Sequence, residues 1–317
     1  MKTVMPDYYS SFRCIADQCH HTCCAGWEID VDAEALARYG KVQGPLGEKL
    51  KANLVLEDDC PHFRLTADER CPFLDSRNLC ELYAQLGEAS LCQICTDHPR
   101  FRNEMNDRTE IGLGLCCEAA GALILGWQQP VRLVSTGAGD ALPDDHVMEV
   151  YAIRSRAMDI VQDRTMPVQQ RLHLLEKSFG IRFPGWTPQQ WAEVLLSLER
   201  MDEEWTERLM QLRAAVPAKE HAELAHLETA FEQLTVYFLY RHLPAMQDLD
   251  EITAYVGFAI LSCRVIRWLC ELQAEQGGCA LNDLIEISRL YSSEIEYCEE
   301  NTETLLELLW EANHPEQ

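Results

Sequence analysis

The chain has 317 residues, of which 47% are hydrophobic and 25% charged, a globular composition that excludes intrinsic disorder. Its 27 Lys and Arg stand against 52 Asp and Glu, a formal net charge of −25. That balance excludes the basic face needed for nucleic acid and disfavours docking on an anionic membrane by charge alone.

At about 150 residues per domain the length points to two domains. Met1–Asp7 shows neither the apolar core nor the small-residue cleavage site of an export signal. The longest apolar runs, Ala119–Trp127 and Ala254–Cys263, fall short of the roughly 18 residues of a spanning helix, so no transmembrane segment is expected and the location is read as cytoplasmic.

The spacing predicts a first helix over Asp32–Tyr39, with Asp30 or Asp32 as N-cap. Cys71–Cys80, two apolar arms around a polar turn, reads as a small β-hairpin with a cysteine at each end. Leu82–Cys92 and Glu118–Trp127 are helical in pattern. Pro, Gly and Asp gather over Gln128–Asp145, which reads as a linker. Beyond it, Val147–Phe179, interrupted near Pro167, carries apolar residues at helical spacing. Thr187-Pro188 opens a helix whose apolar face runs Trp191, Val194, Leu195, Leu198, Met201 and Trp205. Further helices are expected over Glu220–Leu243, Leu249–Glu275, Leu284–Tyr297 with an Asn282-Asp283 cap, and Thr302–Ala312. After Arg289 there are eight Glu and no Lys or Arg, the pattern of a solvated acidic helix face. The expected fold is mainly α: a compact cysteine-rich metal-binding unit at residues 1–130, with its small hairpin, packed on a helical bundle at residues 146–317.

The cysteines carry the chemistry. There are 15, and 11 of them lie at or before residue 117. Cys14, Cys19 and the pair Cys23-Cys24 come first; Cys60 follows; then Cys71, Cys80, Cys92, Cys95 and the pair Cys116-Cys117. In a reducing compartment so many clustered thiols point to metal ligation rather than disulfides. Four thiolates serve equally a structural zinc ion or an iron–sulfur cluster of the 4Fe–4S kind, and spacing does not separate the two. His20, His21, His62 and His98 lie in the same region and are ordinary surface or hydrogen-bonded residues or further ligands. Trp27, Phe63, Phe73, Tyr83 and Phe101 are read as core side chains near the cysteines. Cys263, Cys270, Cys279 and Cys298 read as buried small hydrophobes. Gly112-Leu113-Gly114 lacks the third glycine of a dinucleotide loop, and no phosphate loop, nucleophile elbow or zinc-protease motif is present.

Four segments in one order resemble the flagellin lysine N-methylase family. They are Phe12-Arg13-Cys14 through Cys19 to Cys23-Cys24-Ala25-Gly26-Trp27; Cys71-Pro72-Phe73-Leu74-Asp75 with Leu79-Cys80; Cys95-Thr96-Asp97-His98-Pro99-Arg100-Phe101; and Leu113-Gly114-Leu115-Cys116-Cys117-Glu118. The resemblance covers roughly residues 5–127. It implies transfer of a methyl group from S-adenosylmethionine to lysine amines of flagellin, and a cysteine-bound iron–sulfur cluster, with zinc as the alternative. The implied metal-ligand pool is Cys14, Cys19, Cys23, Cys24, Cys71, Cys80, Cys95 and Cys117, while Cys60, Cys92 and Cys116 fit the shared pattern less well. The chain lacks the glycine-rich loop of Rossmann-type methyltransferases, and Cys19-x3-Cys23 followed at once by Cys24 departs from the radical-enzyme spacing. A lysine must lose its proton before it attacks a methyl group, and Glu28, Asp30, Asp97, Glu104 and Glu118 lie near the motifs as candidate bases. The alternative reading is a non-enzymatic iron–sulfur or zinc protein with a helical partner-binding domain.

Overall fold

The computed structural model describes residues 2–26, 28–56, 60–139, 141–216 and 224–315. In chain order its elements are β1 (Lys2–Pro6), β2 (Ile29–Asp30), α1 (Ala33–Tyr39), α2 (Gly44–Asn53), β3 (Leu54–Val55), β4 (His62–Phe63), α3 (Glu81–Leu86) and α4 (Gln93–Asp97). These are followed by β5 (Arg100–Glu104), β6 (Arg108–Leu113), α5 (Glu118–Leu125) and β7 (Leu133–Thr136). The rest is helical: α6 (Asp145–Val161), α7 (Val168–Phe179), α8 (Pro188–Ser197), α9 (Glu203–Ala214), α10 (Glu228–His242), α11 (Ile252–Gly277), α12 (Leu281–Tyr291) and α13 (Glu299–Asn313).

The chain divides into two units, but not at residue 130. One unit is Met1–Phe12 with Phe101–Gln317; the other is Arg13–Arg100. Strand pairing explains the difference. β1 sits inside a sheet of order β5-β6-β1-β7, parallel to β6 with Lys2 opposite Arg108 and antiparallel to β7 with Thr3 opposite Thr136. The first residues and residues 101–136 therefore belong to the helical unit. Leu113, Leu115, Ala120 and Ile124 are buried in the same core as Phe231, Phe238, Phe258 and Leu290. Short strands paired across a hundred residues leave no local periodicity, which is why this sheet was not expected.

In the helical unit the break near Pro167 and the Thr187 cap are present, whereas Asn282 and Asp283 lie inside the first turn of α12, whose N-cap is Ala280, with the Asp283 carboxylate accepting from the Ala280 amide at 2.7 Å. Thr187 caps α8 in a reciprocal arrangement with Gln190. The face expected to run from Trp191 to Trp205 is split: α8 ends at Ser197, Asp202 caps α9 through the Glu204 amide, and Met201 is 65% exposed in the gap. α11 with the turn before it, Leu249–Gly277, is long and apolar enough to cross a membrane, yet 67% of its most apolar 18-residue window is buried within the protein, as in a core helix. Two buried carboxylates fasten the bundle. Glu110 on β6 holds the guanidinium of Arg154 on α6 and that of Arg108, and Glu232 on α10 binds Arg171 at 2.6 Å and Arg164 at 2.8 Å. The acidic face expected after Arg289 is only partly solvated. A π-helical turn, Ser292–Glu296, follows α12 and carries Glu294 and the side chain of Glu296 into the interior. The extra residue of a π turn rotates those side chains inward, and a periodicity of 3.6 does not foresee this. The start of the helix expected over Glu220–Leu243 lies outside the described residues.

The smaller unit has its own core: Ile29, Val31, Ala35, Tyr39, Leu50, Phe63, Phe73 and Leu82, with Cys71 and Cys92. Its sheet has the order β2-β4-β3, all antiparallel. Asp32 caps α1 as expected. The Cys71–Cys80 hairpin reduces to one bridge, Leu74 with Cys80, because the Asp75 carboxylate accepts from the Arg77 and Leu79 amides and winds the turn tightly. The helix expected over Leu82–Cys92 stops at Leu86, where Gly87 takes φ 84°.

Candidate thiolate centre and a buried polar network

No disulfide joins any of the 15 cysteines. Six of them meet in the smaller unit. The backbone amide of Cys71 donates to the Cys24 carbonyl at 2.7 Å, which sets the segment after the Cys23-Cys24 pair beside Cys71. The Cys23 and Cys24 sulfurs are 4.0 Å apart. Cys80 stands at the N-terminus of α3 and pairs with Leu74. Cys92 stands at the N-terminus of α4, and Cys95 follows one turn later within hydrogen-bond reach of it. Cys71 and Cys92 are core residues, and Cys24, Cys80 and Cys95 pack against that core.

The thiols influence one another. Burial pushes Cys71 up to about 11, against the pull of a backbone hydrogen bond, and Cys80 and Cys92 add to the rise. Burial also raises Cys80, with Cys23 and Cys92 contributing. The Cys92–Cys95 pair splits: the hydrogen bond between them holds Cys92 below the usual thiol range and Cys95 well above it. Cys71 and Cys92 are buried, Cys24, Cys80 and Cys95 half-buried and Cys23 exposed, and crowded thiols that resist joint ionisation are the donor set that a cation stabilises. The chemistry of the set therefore fits a thiolate-bound metal or cluster. The side chains as they stand do not close around a point: among the described residues no three His, Cys, Asp or Glu side chains are arranged to hold an ion.

Of the ligand pool implied by the resemblance, the structure brings together Cys23, Cys24, Cys71, Cys80 and Cys95, and it adds Cys92. Cys14 is exposed, its sulfur accepting from the Ala16 amide at 3.4 Å, and Cys19 is half-buried after a short turn. Cys60 is exposed, with Asp30 and Glu28 near enough to disfavour its thiolate. Cys116 and Cys117 belong to the helical unit. Phe63 and Phe73 are buried beside the six thiols with ring centroids 4.8 Å apart, Tyr83 is exposed, and Phe101 lies in the helical unit. Trp27 lies outside the described residues. Burial pushes the His98 imidazole down to about 4, so it is neutral at ordinary pH. His62 lies 3.5 Å from the Glu28 carboxylate. Among the candidate bases, Asp97 accepts from the Gln93 side chain at 2.7 Å and the exposed Glu104 from Thr109 at 2.7 Å; Asp30 lies on β2 and Glu118 opens α5.

A second constellation, in the helical unit, was not anticipated. The Glu296 side chain is fully withdrawn from solvent. Its carboxylate accepts from Tyr237 Oη at 2.9 Å and lies 2.6 Å from His242 Nε2 and 3.3 Å from Arg241 Nε. Burial alone would raise the Glu296 carboxyl; the Arg241 guanidinium and the His242 bond outweigh it and keep it ionised. Burial keeps His242 neutral despite that carboxylate. Tyr237 also accepts from Arg241 at 2.7 Å and from the Leu115 amide at 3.2 Å, which ties the network to the turn bearing Cys116 and Cys117. Burial pushes Cys116 up to about 12, although the Tyr297 hydroxyl and Arg241 beside it pull the other way. The two glycines of this stretch are packing positions. A Cβ at Gly112 would overlap the Phe101 ring, and one at Gly114 the Tyr297 hydroxyl. The sequence signal was the Arg241-His242 pair with the Glu294–Tyr297 segment, hidden because both sit in helical stretches.

Two shallow hollows of about 470 and 540 Å³ run along α6, lined by residues such as Glu149, Arg156, Phe179, Asp159 and Leu174. Neither is lined by a residue of the thiol cluster or of the Glu296 network.

Residues 173–316 match the family model described as the FliB lysine N-methylase C-terminal domain. The chain is 24% identical over 161 residues to a flagellar biosynthetic protein FliU of Salmonella muenchen, a match that spans 49% of this chain and 94% of the relative. It is 25% identical over 126 residues to a lysine-N-methylase of Salmonella typhimurium and to one of Salmonella choleraesuis, spanning 38% of this chain and 31% of each relative. No solved structure matches. The match to the family model falls in the helical half, where the sequence reading found no motif of its own, and takes in Tyr237, Arg241, His242 and Glu296.

Proposed function

We propose that this chain, a relative of the lysine N-methylases, is a protein-lysine N-methyltransferase that takes its methyl group from S-adenosylmethionine and acts on flagellin. The observation that carries the proposal is the match of residues 173–316 to the FliB lysine N-methylase C-terminal domain, in a chain whose cysteine motifs resemble the same family in the other half. The flagellar names of the relatives support the choice of flagellin.

The transfer is a displacement at carbon. A lysine amine loses its proton to a base, its nitrogen lone pair attacks the methyl carbon, and the carbon–sulfur bond of the sulfonium breaks to leave a neutral thioether. Most of the catalytic gain comes from holding nitrogen, carbon and sulfur in line and keeping the amine neutral. The acidic chain, at −25, suits a lysine-bearing partner. We further propose that Cys23, Cys24, Cys71, Cys80, Cys92 and Cys95 hold an iron–sulfur cluster, with zinc as the alternative, and that the reaction is cytoplasmic, where thiols stay reduced. Such a centre, when bound, supplies a compact positive charge that compensates several thiolates and pins four separate segments of the chain.

The test is methyl transfer. Purified, oxygen-protected protein is incubated with flagellin and S-adenosylmethionine bearing a labelled methyl group, and flagellin lysines are read by mass spectrometry. Label on lysine supports the proposal; unlabelled flagellin, with metal-replete protein and intact cofactor, overturns it.

A further inference from the structure

One arrangement in the smaller unit is left without a role by this reading: α1 grips the segment that carries Cys92. At the start of the helix the Asp32 carboxylate accepts from its own capping partner, the Ala35 amide, at 2.9 Å and from the Gln93 amide at 2.7 Å. At its end Arg38 Nη2 donates to the Leu91 carbonyl at 3.0 Å. The next residue, Tyr39, places its hydroxyl 2.8 Å from the Ser90 carbonyl and 3.2 Å from the Cys92 sulfur. Asp32, Arg38 and Tyr39 thus fix four consecutive residues, 90–93. Tyr39 and Cys92 are 3% and 1% exposed, so their contact is shielded from water. The Tyr39 ring packs on Phe63, centroids 5.8 Å apart, which leaves the hydroxyl little room to move away.

The hydroxyl has one proton and two acceptors in reach. While Cys92 is a thiol, its S–H donates to the tyrosine oxygen and the tyrosine proton serves Ser90. Once a bound cation has displaced the protons of Cys92 and Cys95 into solvent, the phenol is the remaining donor, 3.2 Å from the Cys92 sulfur, and its one proton is shared between that sulfur and the Ser90 carbonyl. We infer that Tyr39 is a positioning residue of the thiolate centre: α1 aims the Cys92 sulfur, and the Tyr39 hydroxyl hydrogen-bonds that sulfur when it is a ligand. The inference rests on the thiolate-centre reading above. A hydrogen bond to a ligand sulfur lowers the energy of its lone pairs, and so tunes the absorption and affinity of whatever metal it holds.

Cobalt(II) is the probe. The full chain is freed of metal without oxygen, titrated with Co²⁺, and followed by its sulfur-to-cobalt charge-transfer band and by chelator competition. For Tyr39→Phe the band moves to lower energy and affinity falls by about 10- to 100-fold. Arg38→Met, which loosens the same loop but keeps the phenol, leaves the band energy where it is. If Tyr39→Phe does not fold, 3-fluorotyrosine at position 39, a stronger donor of the same shape, moves the band to higher energy instead. An unshifted band and affinity in the Tyr39 variants, or an equal shift in Arg38→Met, overturns the inference while the centre stands. Absence of any such band in the unaltered protein removes the thiolate centre and this inference together.

Discussion

His242 Nε2 lies 2.6 Å from the Glu296 carboxylate, with both side chains withdrawn from solvent and Tyr237 and Arg241 on the same carboxylate. The pair joins the end of α10 to the π-helical turn after α12 and, through Tyr237 and the Leu115 amide, to the Cys116-Cys117 turn. Arg241 and Glu296 balance in charge and His242 is neutral, so the network is stable only while intact. Glu296→Ala strands a buried guanidinium and is expected to lower unfolding free energy by about 3–5 kcal/mol. Urea denaturation measures this; a loss below about 1 kcal/mol would show that the guanidinium finds another partner or water.

Gly112 lies against the Cζ end of the Phe101 ring with no space for a Cβ. Phe101 is packed against the helical core and beside Tyr237 and Tyr240, so it yields poorly. Gly112→Ala is expected to destabilise by about 1–3 kcal/mol through overpacking. Phe101→Leu in the same chain should return part of that loss, a non-additivity read from a double-mutant cycle. Strict additivity would mean that the strain lies elsewhere.

His98 supplies a pH dependence. Its imidazole is held down to about 4 by burial, with Arg100 adding to the effect, against an ordinary value of 6.5. The unfolded chain therefore takes up this proton first. The contribution is present above about pH 6.5 and is lost as pH falls towards 4, by roughly 3 kcal/mol at most. His98→Asn should flatten that part of the stability profile relative to the unaltered protein. Parallel profiles for the two proteins between pH 6.5 and 4 would contradict the assignment.

The cysteines should sort into two classes. Cys71→Ser or Cys92→Ser removes a donor from the thiol-lined core, and we expect lost metal and lost solubility together. Cys14→Ser or Cys60→Ser changes an exposed thiol outside that core and should leave metal content within error of the unaltered protein. Iron, zinc and sulfide analysis of the four variants checks this, and loss of metal from Cys14→Ser would redraw the ligand set.

Much of the helical unit was legible in the sequence because its signals are local. Thr187-Pro188, the interruption at Pro167 and the apolar periods of α10 and α11 act over a few residues, and each stands where expected. The cysteine motifs were likewise legible as a shared chemistry. The membership of the six-thiol group was not. Cys92 joins it through the α1 clamp, and the pairing of Cys24 with Cys71 is made by a backbone hydrogen bond across 47 positions.

By itself the sequence determined the class of the protein: mainly helical, strongly acidic, rich in thiols near its start, and similar to lysine N-methylases. Composition, caps and helical periods are properties of neighbouring residues, and they survive without a fold. Only the tertiary structure decided that β1 closes a sheet with strands a hundred residues away, that a π turn buries Glu296 beside Arg241 and His242, and that Tyr39 meets Cys92. Each of these depends on burial and on partners distant in sequence, and the energy of a buried charge, thiol or hydroxyl is fixed by the partners it meets.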